Sequence, residues 1–202
     1  MFSRNRLKIG NISVASFVRN CVGERVSGDT VIMTQQEEHL FLAIVDALGH
    51  GPQANSVAQQ AEQFLKDHWK ADVLQTMLGL HKALSGTIGA AAGLCVVDTL
   101  KREVHYAGVG NTVFRIVGSR EARLISVDGI VGIHMHEPNV QNLKLNVSDV
   151  VLLYTDGVSD RFTVEQYPQI IYHSPAAVAH RVVERFGKTH DDATCMVMRF
   201  DR

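Results

Sequence analysis

Four aspartates stand beside apolar runs that have the length and composition of buried strands. They are Asp29, Asp46, Asp156 and Asp191. Because a strand end is rigid and the aspartate side chain is short, each carboxylate would be fixed in space with little entropy left to lose. Carboxylates brought together repel one another and resist ionisation. A hard divalent cation such as magnesium or manganese, which prefers oxygen ligands, removes that conflict, so the pattern indicates a metal site.

Each of these aspartates also has a simpler interpretation. An Asp-Gly pair after a strand, as at Asp156-Gly157, is usually only a turn. Asp191-Asp192 taken alone is more often a solvated loop or a cap. The metal-site interpretation therefore depends on the whole set, together with the glycine-rich residues 49–51 directly before a predicted helix.

Composition narrows the class of protein. The chain has 202 residues, of which 46% are hydrophobic and 20% charged, as expected for a soluble domain with a real core. A net charge of −1 gives no electrostatic footprint for nucleic acid, and no apolar run is long enough to span a bilayer. The three cysteines are far apart in sequence, so a disulfide framework is not expected. We therefore expect a cytoplasmic protein with no nucleic-acid or membrane partner.

Hydrophobic periodicity predicts strands and helices that come in groups. Strands are predicted at residues 12–18, 30–34, 40–45, 90–97, 103–109, 113–117, 122–127, 147–155 and 193–200, and helices at 55–69, 71–84 and 175–186. The turns between residues 90 and 127 are too short for crossover helices, so these strands should pair antiparallel. The grouping favours an α+β fold with antiparallel sheet packed against helices. No repeat or linker is visible, so we expect one domain over residues 1–202.

Four motifs in order resemble those of the metal-dependent protein phosphatases (the PPM family), especially its SpoIIE-like bacterial branch. Residues 46–51, Asp-Ala-Leu-Gly-His-Gly, resemble the family's Asp-Gly-x-Gly-x-Gly signature. Asp156-Gly157 with Asp160 resembles its Asp-Gly-x-x-Asp motif, residues 191–194 its closing Asp-Asp-x-Thr motif, and residues 28–29 its early Gly-Asp motif. Order and spacing match over nearly the whole chain.

The resemblance implies a fold, a reaction and a ligand set. The implied fold is two antiparallel β-sheets sandwiched between helices, and the implied reaction is hydrolysis of phosphoserine or phosphothreonine by water that two Mn²⁺ or Mg²⁺ ions activate. By resemblance, Asp46 bridges both metals, the Ala47 carbonyl binds one, Asp156 and Asp191 complete the second, and Asp29 acts through water. Ala47 replaces the usual glycine, which a carbonyl ligand tolerates if its φ is negative.

Other positions support or depart from the family pattern. Asp160, Asp192 and Asn111 are expected around the ligands rather than among them. Asn111 stands where some members carry a third-metal aspartate, so only two metals should bind tightly. Leu48 stands where many members carry a histidine that protonates the leaving oxygen. His50 is a candidate substitute, although a structural role in the turn is the commoner interpretation.

The substrate is expected to come from another chain, because no sensor, linker or coiled-coil segment is visible here. By resemblance it is a stressosome-type STAS-domain protein phosphorylated on Ser or Thr. Arg25 does not match the spacing of the family's phosphate-binding arginine, so the phosphate-binding residue stays unassigned. Two rival hypotheses are a pseudophosphatase that only binds phosphoproteins and a phosphoaspartate receiver-like domain. The predicted antiparallel strands argue against the receiver, and the retained aspartates argue against the pseudophosphatase.

Overall fold

The computed structural model describes residues 2–159, 161–163 and 167–201. The strands are β1 (Phe2–Ile9), β2 (Ile12–Arg19), β3 (Asp29–Gln36), β4 (His39–Ala47), β5 (Ala90–Asp98), β6 (Glu103–Val109), β7 (Val113–Val117), β8 (Ala122–Leu124), β9 (Gly129–Ile130), β10 (His134–Met135), β11 (Gln141–Lys144), β12 (Val150–Tyr154) and β13 (Ala193–Phe200). The helices are α1 (Gly51–His68), α2 (Val73–Ala83) and α3 (Pro175–Phe186), and a 3-10 helix covers Pro168–Ile171.

The strands form two large sheets in which every neighbouring pair is antiparallel. One sheet has the order β1-β2-β13-β12-β7-β8 and the other the order β11-β6-β5-β4-β3. Strands β9 and β10 form a separate two-stranded hairpin. None of the described helices is long and apolar enough to cross a membrane.

Three hydrophobic layers hold the sheets and helices together. The middle layer lies between the sheets and includes Leu42 of β4 and Leu153 of β12. One outer layer packs the five-stranded sheet on α1 and α2, where Phe41 stacks on Trp69 with ring centroids 5.0 Å apart. The other outer layer packs the six-stranded sheet on α3. Strand β4 is therefore buried on both faces, which explains its continuous apolar run. The predicted α+β fold, two antiparallel sheets between helices, is confirmed.

Most differences from the predicted elements lie at element ends. Strand β1 was not predicted because it carries charged residues and lies exposed at a sheet edge. Strand β12 begins at Val150 rather than at residue 147, because the Asp149 side chain accepts a hydrogen bond from the Asn146 N–H and closes a turn there. Helix α1 begins at Gly51, four residues before the predicted start, with Pro52 in its first turn.

Candidate metal centre

Two of the predicted carboxylates lie side by side on the five-stranded sheet. Asp29 is the first residue of β3, and Asp46 is the last but one residue of β4. The register of the two antiparallel strands places Asp29 directly opposite Asp46. Directly opposed residues on neighbouring strands are in contact distance, and like charges in such a pair destabilise it.

The other two carboxylates come from the six-stranded sheet. Asp156 lies two residues after the end of β12, and Asp191 lies two residues before the start of β13. These strands are antiparallel neighbours with Tyr154 opposite Cys195, so the end of one meets the start of the other. Asp156 and Asp191 therefore lie at the same end of the sheet.

An open cavity of about 270 Å³ lies where the two sets of carboxylates meet. Its lining comes from both sheets, the α1 entry and two loops: Asp46, Leu48, Gly49, His50, Ala91, Asn111, Asp156, His190 and Asp191. No lysine or arginine lines it in the parts of the chain that the structure describes. Its negative charge therefore has no cationic side chain as a partner within the cavity.

Asp29 lies deeper and ties the two sheets together. Its Oδ2 accepts a 2.9 Å hydrogen bond from the Thr155 hydroxyl, whose oxygen in turn accepts one from the Thr194 N–H. Its Oδ1 is buried and has no hydrogen-bond partner among the described residues. A buried carboxylate oxygen without a partner is costly, so this atom is the kind that a ligand or water would satisfy.

The pKa values report the same electrostatic conflict. Burial raises the pKa of Asp29 to about 7, with Asp192 and Asp191 adding to the rise and the side chains of Thr194 and Thr155 opposing it. Burial and then the charges of Asp29, Asp156 and Asp191 hold the pKa of Asp46 well above its usual range. Burial and Asp156 also raise the pKa of Asp191. All three carboxylates are thus harder to ionise here than in water, which a bound cation would reverse.

The donor set fits a hard divalent cation. Carboxylate oxygens are the ligands that magnesium and manganese prefer, and Asp46, Asp156 and Asp191 offer them to the cavity, with Asp29 paired to Asp46 behind it. Within residues 2–159, 161–163 and 167–201, no group of three or more His, Cys, Asp or Glu side chains is placed so that it could hold a metal ion by itself. An ion here would therefore complete its coordination with water and substrate oxygens, as magnesium commonly does.

Asp192 lies beside the centre but faces away from the cavity. Its Oδ1 accepts a 2.7 Å hydrogen bond from the Cys21 N–H, and its Oδ2 accepts a 2.6 Å bond from the Gly28 N–H. It thereby fastens the loop before β3 under the site. Gly157 fits here because a Cβ would lie 1.7 Å from the Asp192 carbonyl oxygen.

The remaining predicted positions are Ala47, Asn111 and Asp160. Ala47 is fully buried with its N–H bonded to the Gly28 carbonyl, and its φ lies outside the left-handed region, as a carbonyl ligand in place of glycine requires. Asn111 is exposed and lines the cavity. Asp160 lies outside the described residues. The ligand role of Ala47 and the supporting roles of Asn111 and Asp160 stay predictions.

Sequence reasoning missed three contributors. The hydroxyl of Thr155, which joins the sheets through Asp29, stands inside a motif but received no role. His190 lines the cavity next to Asp191. Glu24 bonds the ring of His50, with 2.9 Å between Oε1 and Nδ1. The only sequence signal for Thr155 was its place beside Asp156, and nothing in the sequence pointed to Glu24.

Comparisons with known proteins agree with this geometry. The family described as stage II sporulation protein E (SpoIIE) matches residues 36–201. Phosphoserine phosphatase RsbX of Bacillus subtilis (strain 168) is 25% identical over 104 residues, which are 52% of this chain and 52% of RsbX, so the match spans about half of that relative.

Two solved structures are similar over nearly their whole length. One comes from work on the bacterial stressosome as a modular system adapted to control secondary messenger signalling, with a TM-score of 0.86 and 25% identity over 93% of this chain and 99% of that one. The other is RsbX in complex with magnesium, with a TM-score of 0.85 and 16% identity over 98% of this chain and 100% of that one. The family match covers most of the chain, and the fold and carboxylate cluster agree with it, so this chain belongs to the SpoIIE branch of the PPM serine/threonine phosphatases, which are hydrolases.

Proposed function

We propose that this chain hydrolyses phosphoserine or phosphothreonine on a partner protein and requires two Mg²⁺ or Mn²⁺ ions. Asp46, Asp156 and Asp191 would hold the ions, with Asp29 and the Ala47 carbonyl contributing. The observation that carries the proposal is the meeting of carboxylates from both sheets at one open cavity whose described lining holds no lysine or arginine. A module that only binds phosphoproteins would gain nothing from such repulsion, because phosphate is itself an anion.

Each carboxylate has a defined task in this proposal. Asp46 lies at the centre of the cluster, since Asp29, Asp156 and Asp191 all act on its pKa. The Thr155 hydroxyl orients the Asp29 carboxylate by bonding Oδ2, while Oδ1 has no hydrogen-bond partner among the described residues. When bound, the cations would neutralise the carboxylates, lower the pKa of an attacking water and balance charge on the phosphate oxygens.

The surrounding residues would orient this set. Asp192 holds the loop that carries Gly28 against the site. Replacing a residue that orients metal ligands typically costs about 10–100-fold in metal affinity or activity, and we expect a loss of that order for Asp192. Asn111 offers the cavity a neutral oxygen where a further cation would prefer a carboxylate. We propose Asp160 for a similar orienting role on the strength of its motif alone.

The proposed substrate is a STAS-domain protein of a stressosome-type assembly, phosphorylated on Ser or Thr. Support comes from the phosphoserine phosphatase RsbX, which shares the fold and a quarter of the aligned residues over half its length. The cavity is open, and Leu48 at its edge is 40% exposed, which suits a side chain presented by another protein surface.

Phosphate release decides between an enzyme and a binding module. The chain would be incubated with a serine-phosphorylated STAS-domain protein in manganese or magnesium, and inorganic phosphate measured over time. We expect release that stops on chelation and is absent in Asp46→Asn. Stable binding of the phosphoprotein without release would support the pseudophosphatase alternative instead. Release only from small phosphate esters would contradict the proposed substrate.

A further inference from the structure

His50 and Glu24 form a pair at the edge of the carboxylate cavity. The Nδ1 atom of His50 lies 2.9 Å from Oε1 of Glu24. The ring lines the cavity together with Asp46 and Asp156, and about half of it is exposed. Glycines with left-handed φ flank it, at 81° for Gly49 and 77° for Gly51, so the backbone turns sharply on both sides of the histidine. The turn therefore presents the ring to the cavity.

Glu24 is held in place by helix α1. A Cβ on Gly51 would lie 2.8 Å from Oε2 of Glu24, so the carboxylate packs directly against the first residue of the helix. Helix α1 has no acidic residue in its first turn, and its N-cap residue, His50, makes no side-chain capping bond. The partial positive charge of a helix N-terminus attracts a carboxylate. Glu24 supplies that charge from a separate loop and contacts His50 from the same position.

The loop that carries Glu24 is tied to the metal centre. Asp192 accepts hydrogen bonds from Cys21 and Gly28, which lie on either side of Glu24 in sequence. The Glu24 N–H is itself bonded to the Cys21 carbonyl. The distance between Glu24 and the carboxylate cluster is therefore set by short hydrogen bonds rather than by a free loop.

This pairing determines which ring nitrogen can act. An ionised carboxylate only accepts hydrogen bonds, so Nδ1 of His50 carries the hydrogen that Glu24 receives. Nε2 is then the acceptor in the neutral ring, and in the doubly protonated ring it is the atom that can give its proton to a group in the cavity, as in a histidine oriented by a carboxylate. His190 lines the same cavity, but within the described residues no carboxylate hydrogen-bonds its ring.

We propose that His50 donates the proton to the departing serine or threonine oxygen and that Glu24 is its positioning residue. This inference rests on the proposed function. The bond from phosphorus to the ester oxygen breaks, and its electron pair stays on that oxygen, which takes the proton from Nε2. The new bond to phosphorus forms with the oxygen of a water molecule, and the proton that this water loses returns to His50 through solvent.

A pair of substrates isolates this step. A serine alkoxide is a poor leaving group and needs a proton, whereas a nitrophenolate leaves without one. Removing a proton donor costs about 10²–10⁴-fold where it is needed. His50→Gln should therefore lose roughly 10²-fold or more in kcat on a phosphoserine peptide, but only a few-fold on nitrophenyl phosphate. Glu24→Gln should show the same selectivity with a smaller loss, and Glu24→Asp should recover part of it.

A second histidine–carboxylate pair supplies the matched control. His180 and Glu184 lie on α3 with 3.9 Å between Nδ1 and Oε2, away from the cavity lining. His180→Gln should leave both substrates unaffected. Equal losses on both substrates in His50→Gln, or no loss on either, would overturn the proposal and leave His50 a structural residue of the turn. If the unmodified chain does not hydrolyse nitrophenyl phosphate, that result would instead count against the proposed function.

The tautomer of His50 gives a readout that needs no turnover. In metal-free protein, ring ¹⁵N spectra of the neutral ring should show the hydrogen on Nδ1 in the unmodified chain and a redistribution toward Nε2 in Glu24→Ala, which removes the acceptor. Melting temperatures of both forms would show that the variant is folded. An unchanged tautomer in Glu24→Ala would contradict the positioning role, whatever the activity measurements show.

Discussion

Aspartates lie at both ends of the β-sandwich, but their hydrogen-bond donors and pKa values differ between the two ends. At the end away from the cavity, Asp98 closes β5 and accepts hydrogen bonds from the N–H groups of Leu100 and Lys101, at 3.1 and 2.8 Å. These bonds and the Lys101 ammonium hold the pKa of Asp98 below its usual range. At the cavity end, Asp29 and Asp46 have raised pKa values and few donors.

Asp149 and Asp156 make the same contrast on one strand. Asp149 precedes β12 and is 1% exposed, yet its oxygens accept bonds from the N–H and hydroxyl of Ser119 and from the Asn146 N–H, at 3.0, 2.8 and 2.9 Å. Asp156 follows β12 and lines the open cavity. A carboxylate that accepts hydrogen bonds from protein donors stabilises the fold, whereas a carboxylate without such donors has oxygens that can bind a ligand. Burial alone does not separate the two kinds.

The largest effect should come from the centre of the cavity end. Asp46→Asn should lower turnover by roughly 10³-fold or more, since one neutral amide cannot replace the carboxylate that we propose serves two cations. The fold should survive and gain stability in metal-free buffer, because Asp29, Asp156 and Asp191 lose a repelling neighbour. Turnover with manganese and melting temperature with and without chelator are the measurements. Near-normal turnover in a folded variant would contradict the two-metal mechanism.

The opposite end should respond in the reverse sense. Asp149→Ala removes an acceptor of several hydrogen bonds and should destabilise the fold by about 2–4 kcal/mol. For a chain of this size each 1 kcal/mol corresponds to about 2–4 °C in melting temperature. Turnover per folded molecule at low temperature should stay unchanged. An Asp149→Ala variant that melts normally but loses turnover would contradict the purely stabilising role assigned to Asp149.

Melting temperature against pH sharpens the contrast further. The pKa of Asp29 is about 7 in the fold and the pKa of Asp46 is also raised, so the folded state binds more protons than the unfolded chain above about pH 4. Metal-free stability should therefore fall as the pH rises from about 4 through about 7. Asp98 acts with the opposite sign: its lowered pKa contributes stability at neutral pH that is lost as the pH falls below its unfolded value, about 4.

Melting curves of metal-free protein between pH 5.5 and pH 7.5 test this sign. We expect a fall of several degrees over roughly this range, since one pKa unit corresponds to about 1.4 kcal/mol. Asp29→Asn should flatten the slope, and magnesium should flatten it in the unmodified chain because a bound cation favours ionised carboxylates. A melting temperature that rises with pH in metal-free buffer would contradict the raised pKa values.

Much of this arrangement could be predicted from the sequence because the responsible signals are local. The apolar runs that form β4 and β12 and the aspartates that follow them stand side by side in the chain. The turn at Asn146 was missed because it depends on the Asp149 side chain rather than on hydrophobic periodicity. Strand β1 was missed because its outward residues are charged, and only pairing with β2 reveals it.

Only the site residues that lie in sequence motifs could be proposed from the sequence. The four aspartates were singled out as candidates from their motifs, but the bond from Thr155 to Asp29 joins residues 126 positions apart, and the Glu24–His50 pair spans 26 positions. Such contacts depend on how the two sheets and α1 pack against one another. Hydrophobic periodicity in the sequence does not predict that packing. The distinction between Asp149 and Asp156 was likewise invisible, because it depends on which donors the fold brings near each carboxylate.

The smallest effect should follow from adding a carboxylate to the cavity end. Asn111→Asp places one more negative charge on an exposed position of the cavity lining, where solvent weakens its repulsion of Asp156 and Asp191. We expect a loss of less than about 1 kcal/mol in metal-free stability. Calorimetric titration with manganese should show a further ion bound more tightly than in the unmodified chain, with turnover changed only a few-fold.

Asn142→Asp supplies the matched control for this substitution. Asn142 is exposed on β11 and does not line the cavity, so it adds the same charge without adding a cavity ligand. A tighter further ion in Asn111→Asp but not in Asn142→Asp would show that the cavity end gathers cations because of where its carboxylates lie, not because of total charge. A tight third ion already present in the unmodified chain would contradict the role assigned to Asn111. An equal gain in manganese affinity in both variants would show that added negative charge binds the ion wherever it lies, so the position of the cavity carboxylates would not explain ion binding.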